Sequence, residues 1–456
     1  MADPTSSSRK RTVDEAEVAT ASSIKVTRTA GESPPKKITK AVYSIFTKTT
    51  ENSPSESASS KNFNWQQSLG PTRTCLYGTN LAPQSSTKVA AFDLDGALIR
   101  SSFGKGAFKA KGKGASTSGQ LFEWWRPGVP GKLRQVNAQG FAIVIITNQY
   151  LKPALLADWK TKIPHIADAL SDVPFRLFAA TAKDGYRKPM PGMWYELERM
   201  LAEDGVQIDK STSFYVGDAA GRAGDHASSD RKWALNVGIP FFTPEEYFLG
   251  LKPVPYKLPG FHVSSLPALP PLAPTSKPIL PPPSSSARPE VVLFVGYPSL
   301  GKSTFYRRHF QDAGYVHVNQ DTLSSRQKCM KAVEEALQDG RSCVVDNTNR
   351  DRATRKHYVD VAKRCGARVR CFLFSGSMEL AWHNNLYRAF NLPPEQAEKE
   401  PKRDLVPYLA YTSFRGAYEE PVVEEGFDEV RSVNWVFEGG EEERRRWGMW
   451  LQIEGK

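Results

Sequence analysis

Val291-Val292-Leu293-Phe294-Val295-Gly296-Tyr297-Pro298-Ser299-Leu300-Gly301-Lys302-Ser303-Thr304 joins an unbroken apolar run to a glycine-framed loop, and a helical stretch follows. A run such as Val291 to Val295 suits a central strand of a parallel sheet, buried on both faces. The spacing Gly296-x4-Gly301-Lys302-Ser303 is that of a loop whose backbone N–H groups wrap phosphates at a helix start. Its place between strand and helix is the context the pattern requires, which speaks against an ordinary strand-to-helix turn. An ATP site is therefore expected here. Lys302 would reach the outer phosphates, Ser303 would hold a magnesium ion, and Gly296, Gly301 and Thr304 would complete the loop.

Downstream, Val316 to Val318, Cys343 to Val345 and Val369 to Phe374 are further strand candidates with helical patterns between them. Strands alternating with helices imply a doubly wound α/β domain. Two polar clusters follow these strands, where ligands bind in such folds. In Asn319-Gln320-Asp321, the Asp321 carboxylate either takes a proton from an attacking hydroxyl or caps the next helix. In Asp346-Asn347-Thr348-Asn349, Asp346 could support magnesium. Arg388, on a late helix, is either a solvated arginine or a cation facing a transferring phosphoryl group.

Upstream, residues 252–289 hold 12 of the 33 prolines and no acidic residue. That composition reads as an extended, partly stiff linker between two domains. The first domain, residues 61–250, again alternates strands with helices: Val89 to Phe92, Phe141 to Ile146 and Phe214 to Val216 are apolar runs, and Gly192 to Ala202 is helical. The expected fold is thus α/β, with two doubly wound parallel-sheet domains, residues 61–250 and 290–456. Residues 1–60 hold 21 serines and threonines and few aromatics, so they read as a disordered tail. Arg9-Lys10-Arg11 and Lys36-Lys37 within it read either as a nuclear import signal or as solvated charge, and Val42 to Phe46 as a docking motif. Lys105 to Gly119 reads as a surface loop.

In the first domain, Asp93-Leu94-Asp95-Gly96 follows a strand. Carboxylates at i and i+2 past a strand end can face one phosphate, one as nucleophile and the other as general acid and base. Such a pair needs magnesium, and Gly217-Asp218 supplies a further ligand, giving Asp93, Asp95 and Asp218 as expected metal ligands. Thr147 ends another strand and could donate to a phosphate oxygen. Lys188 could screen the anionic charge. Trp124 and Trp125 beside Arg126 either stack on a strand of DNA or pack in the protein.

Composition excludes several classes. No apolar run approaches the roughly 18–20 residues that span a bilayer, so no membrane association is expected. The start of the chain lacks the apolar core of a secretion signal. Cys75, Cys329, Cys343, Cys365 and Cys371 form no CxxC pair, against both a disulfide scaffold and a zinc module. The formal net charge is +12, yet residues 288–456 contribute only +1. A polyanion is therefore held locally rather than by a broad basic field.

The order Asp-x-Asp, Thr, Lys, Gly-Asp resembles the haloacid dehalogenase superfamily of magnesium-dependent phosphohydrolases. Both halves together resemble the eukaryotic polynucleotide kinase 3′-phosphatases of DNA break repair. The runs that carry this are AFDLDGALI, IITNQ, YRKPMPGMW, VGDAAGR and ALNVGIPFFTPEEYF in the first domain. GYPSLGKST, AGYVHVNQDTL, DNTNRD and CFLFSGSMELAWHNN carry it in the second. The resemblance spans roughly residues 63–250 and 290–438. It implies a 3′-phosphatase domain at 61–250 and a 5′-kinase domain at 290–456. In it Asp93 is nucleophile, Asp95 general acid and base, Asp218 metal ligand, and Asp321 the base on a 5′-hydroxyl. It implies Mg²⁺, ATP as phosphate donor, DNA ends bearing 3′-phosphate or 5′-hydroxyl, a nuclear location and a monomer that can dock repair proteins through its tail. An RNA end-healing enzyme, or an end-binding adaptor with an inactive phosphatase half, are the alternatives. The order phosphatase then kinase favours the DNA enzymes, because the RNA-healing phage enzyme has the reverse. Three departures stand out: Ala97 where the family usually has Thr or Ser, Tyr150-Leu151-Lys152-Pro153 in place of a Gly/Arg-rich loop, and a short polar tail where animal members carry a phosphopeptide-binding domain.

Overall fold

The structure, a computed structural model, describes residues 62–100, 121–272, 277–281, 288–399 and 404–453. The tail with its basic clusters and apolar patch, and the Lys105 to Gly119 loop, lie outside the described residues. No described helix is long and apolar enough to cross a membrane, and all five cysteines are unpaired.

The first sheet has seven strands: β1 (Phe63–Trp65), β2 (Cys75–Asn80), β3 (Val89–Phe92), β4 (Ala142–Asn148), β5 (Phe175–Ala180), β6 (Phe214–Val216) and β7 (Phe241–Phe242). Their order is β1-β2-β5-β4-β3-β6-β7. The five strands from β5 to β7 are parallel, as the alternating pattern implies; β2 runs antiparallel to β5 and β1 antiparallel to β2, so one edge is mixed. Side chains alternate across β3 with the strand period of two. Ala90 and Phe92 face a core that includes the helices Val129–Ala138 and Pro153–Ala169; Val89 and Ala91 face one that includes Gly192–Glu203 and Ser229–Val237.

The second sheet has five parallel strands: β8 (Glu290–Val295), β9 (Val316–Val318), β10 (Cys343–Asp346), β11 (Arg368–Ser375) and β12 (Glu429–Asn434), ordered β12-β11-β8-β10-β9. Helices Arg326–Gln338 and Arg352–Arg364 cover one face, and Met378–Phe390 and Tyr408–Ala417 the other. Such two-sided cover makes β8 fully buried.

The segment between the sheets is not a free tether where it is described. Lys257 N donates to Gly221 O (2.8 Å) and Asn434 N to Pro271 O (2.8 Å), while Phe261, Val263, Leu266 and Leu272 pack on the second core. The two α/β units also meet directly. Met190 of the first is buried in the second core beside Met449 and Leu451. The Asn236 side chain donates to Pro189 O (2.8 Å) and Trp450 O (2.8 Å) and accepts from Trp450 N (2.7 Å).

Candidate active sites

In the first unit the carboxyl ends of β3, β4 and β6 converge. The chain leaves β3 at Asp93, whose N–H donates to Val216 O (2.8 Å) and is thereby pinned to β6. The Asp93 carboxylate is buried, and Lys188 Nζ lies 2.7 Å from its Oδ1. That ammonium also reaches Asp230 Oδ1 (2.7 Å), Tyr215 Oη (2.7 Å) and Ile146 O (3.0 Å). Asp230, in the first turn of Ser229–Val237, is anchored by Ala219 N (3.0 Å). Burial opposes the Lys188 charge, and the Asp230 and Asp93 carboxylates overcome it and hold the ammonium above its ordinary value.

Asp93, Asp218 and Asp230 bring carboxylate oxygens within 4.8 Å of one another. Three carboxylates against one ammonium leave excess negative charge, and an all-oxygen donor set suits a hard divalent cation. Burial pushes Asp93 up to about 7, with Lys188 opposing and Asp230 adding. Burial, then the charges of Asp93 and Asp230, pushes Asp218 up to about 8. Glycine is required beside this cluster. At Gly96 (φ +92°) a Cβ would sit 2.1 Å from Asp218 Oδ2, and at Gly217 2.5 Å from Asp230 Oδ2.

The carboxylates that converge differ from the expected metal ligands in two ways. Asp230, not singled out from the sequence, is among them. The Asp95 carboxylate is not. It accepts a hydrogen bond from Gln149 Nε2 (2.6 Å), which also donates to the buried Thr147 Oγ1 (3.1 Å). Burial, only partly offset by Gln149, raises the Asp95 carboxyl above its ordinary value. The tryptophans are half-buried: Trp124 meets Phe122 edge-on (centroids 5.0 Å), and Trp125 packs on Phe248 (5.8 Å) with the Arg126 guanidinium 4.7 Å from its ring. The Ala97 methyl is fully buried behind the Asp93 turn.

In the second unit the loop after β8 makes three positive-φ steps, Gly296 (+153°), Ser299 (+63°) and Gly301 (+81°), before the helix Lys302–Tyr306. Lys302 Nζ donates to Gly296 O (3.0 Å) and Tyr297 O (2.6 Å). Burial lowers it to about 8, with Asp346 opposing and Arg388 adding. Ser303 Oγ donates to Asp346 Oδ2 (2.6 Å), and His317 Nε2 lies 2.9 Å from the same oxygen. Burial raises Asp346, but the His317 and Ser303 bonds and the Lys302 charge outweigh it and hold the carboxyl low.

Asn319, not Asp321, caps the helix Gln320–Leu323: its Oδ1 accepts from Asp321 N (2.7 Å), while its Nδ2 donates to Asp346 O (2.8 Å). Asp321 is left exposed, and its charge acts on Lys302. Arg388 lines a cavity of about 480 Å³ together with Gly301, Thr304, Trp435 and Phe437. One turn earlier on its helix, Asn384 donates to Ser299 O (3.1 Å), tying that helix to the phosphate loop.

These features define the class: a haloacid-dehalogenase-like phosphatase unit followed by a P-loop kinase unit. The family model described as Polynucleotide kinase 3 phosphatase matches residues 88–248, and one described as AAA domain matches residues 291–404. The chain is 37% identical to the bifunctional polynucleotide phosphatase/kinase of Schizosaccharomyces pombe over 372 residues, 81% of this chain and 84% of that one. It is 30% identical to a putative bifunctional polynucleotide phosphatase/kinase of Acanthamoeba polyphaga mimivirus, over 77% of this chain and 85% of that one. A polynucleotide 3′-phosphatase of Arabidopsis thaliana is 36% identical over 184 residues, 36% of this chain and 24% of that one. The chain belongs to the bifunctional polynucleotide phosphatase/kinase family.

Proposed function

We propose that the chain heals DNA strand ends, removing 3′-phosphates in its first unit and phosphorylating 5′-hydroxyls from ATP in its second. The observation that carries this is the pairing of two unlike phosphate sites in one chain: Asp93 clamped by Lys188 beside Asp218 and Asp230, and Lys302 and Ser303 beside Asp346.

In the first site an Asp93 oxygen attacks phosphorus and the bond to the strand's 3′-oxygen breaks, leaving an aspartyl-phosphate. Asp95, with its raised carboxyl, gives its proton to the departing oxygen and then takes one from the attacking water. Thr147 orients a phosphate oxygen, and Lys188 balances charge on the phosphoryl group while holding Asp93 in place. In the second site Asp321 takes the proton from the 5′-hydroxyl as its oxygen bonds to the γ-phosphorus and the bond to ADP breaks. Lys302 and Arg388 stabilise the charge on the moving group. Asp93, Asp218 and Asp230 in one site, and Ser303 and Asp346 in the other, would hold Mg²⁺, which would neutralise clustered carboxylates and phosphate oxygens. The reading includes a monomer acting in the nucleus, with the tail as a repair-protein docking segment.

The test is 3′-phosphate release and 5′-phosphorylation on matched DNA and RNA oligonucleotides. Both activities on DNA, and weaker ones on RNA, are expected. Turnover confined to RNA overturns the DNA assignment, and turnover on neither overturns the end-healing reading.

A further inference from the structure

Tyr150 follows Gln149, which holds Asp95, and Arg187 precedes Lys188, which holds Asp93. Adjacent Cα atoms lie about 3.8 Å apart, so both residues stand at the rim of the first site. They meet there: the Arg187 guanidinium lies 5.7 Å from the Tyr150 ring centroid and Lys183 Nζ 5.2 Å from it. Tyr150 is 59% exposed. That is unusual for an aromatic beside a buried catalytic constellation, and it leaves ring surface in water that the two cations do not cover. Arg187 Nε and one terminal nitrogen, Nη1, are buried with no hydrogen-bond partner among the described residues. Buried donors without acceptors are costly and rare in folded proteins. A phosphate oxygen arriving at the rim would satisfy them once the guanidinium turns outward, with planar geometry suited to it.

We propose that Tyr150, Lys183 and Arg187 form the strand-binding platform of the phosphatase site. The base next to the 3′-phosphate stacks on Tyr150, and the preceding phosphodiester lies against Arg187 and Lys183. The inference rests on the end-healing reading and deepens it, assigning the strand contact to a segment that the sequence left without a role. The two tryptophans are less open than Tyr150, both being half-buried against the first core. Stacking uses the face that every base presents, so the platform selects a polymeric substrate without selecting a sequence.

The experiment is steady-state 3′-phosphatase kinetics on a 3′-phosphorylated single-stranded oligonucleotide and on a nucleoside 3′-monophosphate. Tyr150→Ala is expected to lower the ratio of the two kcat/KM values by on the order of 5- to 100-fold, chiefly through KM on the oligonucleotide. Tyr150→Phe should restore the ratio. Arg187→Gln should reduce the slope of log affinity against log salt for the oligonucleotide by about 0.7, one phosphate contact on a single strand. An unchanged ratio in Tyr150→Ala together with an unchanged salt slope in Arg187→Gln overturns the platform. Equal losses of Tyr150→Ala on both substrates also overturn it, since the ring then only supports Gln149. A wild-type protein that releases phosphate from neither substrate overturns instead the reading on which the platform rests.

Discussion

The two phosphate sites are built in opposite ways. In the first, Lys188, Asp93 and Asp230 are 3%, 7% and 1% exposed and are locked to one another by ion pairs. In the second, Lys302 is buried but bonded, among the described residues, only to two loop carbonyls, and Asp321 stands exposed on a four-residue helix. In the end-healing reading the first site carries its own nucleophile and its own counter-charge, so its folded state and its chemistry depend on the same contacts. The second receives both reactants from outside, and its groups are held by loop geometry. Damage to the first should therefore cost stability along with activity, and damage to the second mainly activity.

The largest expected effect separates the two lysines. Lys188→Ala leaves Asp93 and Asp230 buried without their cation, which costs about 3–5 kcal/mol. Phosphate release should fall by at least on the order of 10²-fold. Lys302→Ala removes a cation that burial already disfavours, so unfolding free energy should shift by no more than about 1 kcal/mol while 5′-phosphorylation is lost. Chemical unfolding of both variants measures this, and equal destabilisation would erase the contrast.

A smaller effect tests how far the first site leans on the second unit. Asn236 bonds Pro189, next to Lys188, and both backbone groups of Trp450. Asn236→Ala should cost about 1–3 kcal/mol and slow phosphate release by about tenfold, with 5′-phosphorylation much less affected. Parallel assays of both activities show whether the loss falls on one site.

The acidic cluster gives a pH signature that the second site lacks. Asp93 and Asp218 are pushed up to about 7 and about 8, above the roughly 3.9 of an unfolded aspartate. The folded protein then holds more protons than the unfolded one, so without metal its stability falls as pH rises from about 4 to about 8. Mg²⁺ binds only the ionised carboxylates, so the rise in melting temperature on adding it should be larger at pH 8 than at pH 6. Thermal unfolding with and without Mg²⁺ reads this, and Asp218→Asn should flatten the difference.

The smallest effect concerns Ala97. A missing neutral hydrogen bond is worth roughly 0.5–1.5 kcal/mol, under about tenfold in rate. The methyl is fully buried, so Ala97→Thr must also find room for two more heavy atoms, which costs about 1–3 kcal/mol. Phosphatase activity should stay within about tenfold of wild type while the melting temperature falls.

What the sequence disclosed follows the same division between local and assembled features. β3 and β6 end where the apolar runs end, because doubly covered parallel strands are apolar on both faces. β5 carries no unbroken apolar run, because Arg176 interrupts it; the guanidinium reaches Gln84 O (3.2 Å) and Ser85 Oγ (3.2 Å). β1 is only three residues long, and β2 is interrupted by Gly78, a residue that reads as a turn and against which the Phe63 ring packs. The phosphate loop and the Asp-x-Asp turn are contiguous and were legible. Asp230 lies in the first turn of a helix, where an acidic residue is ordinary, and only the fold carries it to Lys188. Gln149 was visible as part of a run but not as the link between Thr147 and Asp95. The contacts of residues 251–272 and of Trp450 depend on partners far away in the chain, which no local pattern encodes.

The central claim is that one chain holds two chemically independent phosphate sites. The direct measurement is 3′-phosphate release and 5′-phosphorylation by Asp93→Asn and by Lys302→Ala on the same oligonucleotide. Asp93→Asn keeps the side chain's shape and removes its charge, so it should lose phosphate release and keep phosphorylation. Lys302→Ala should do the reverse. Either variant losing both activities while remaining folded would contradict the account.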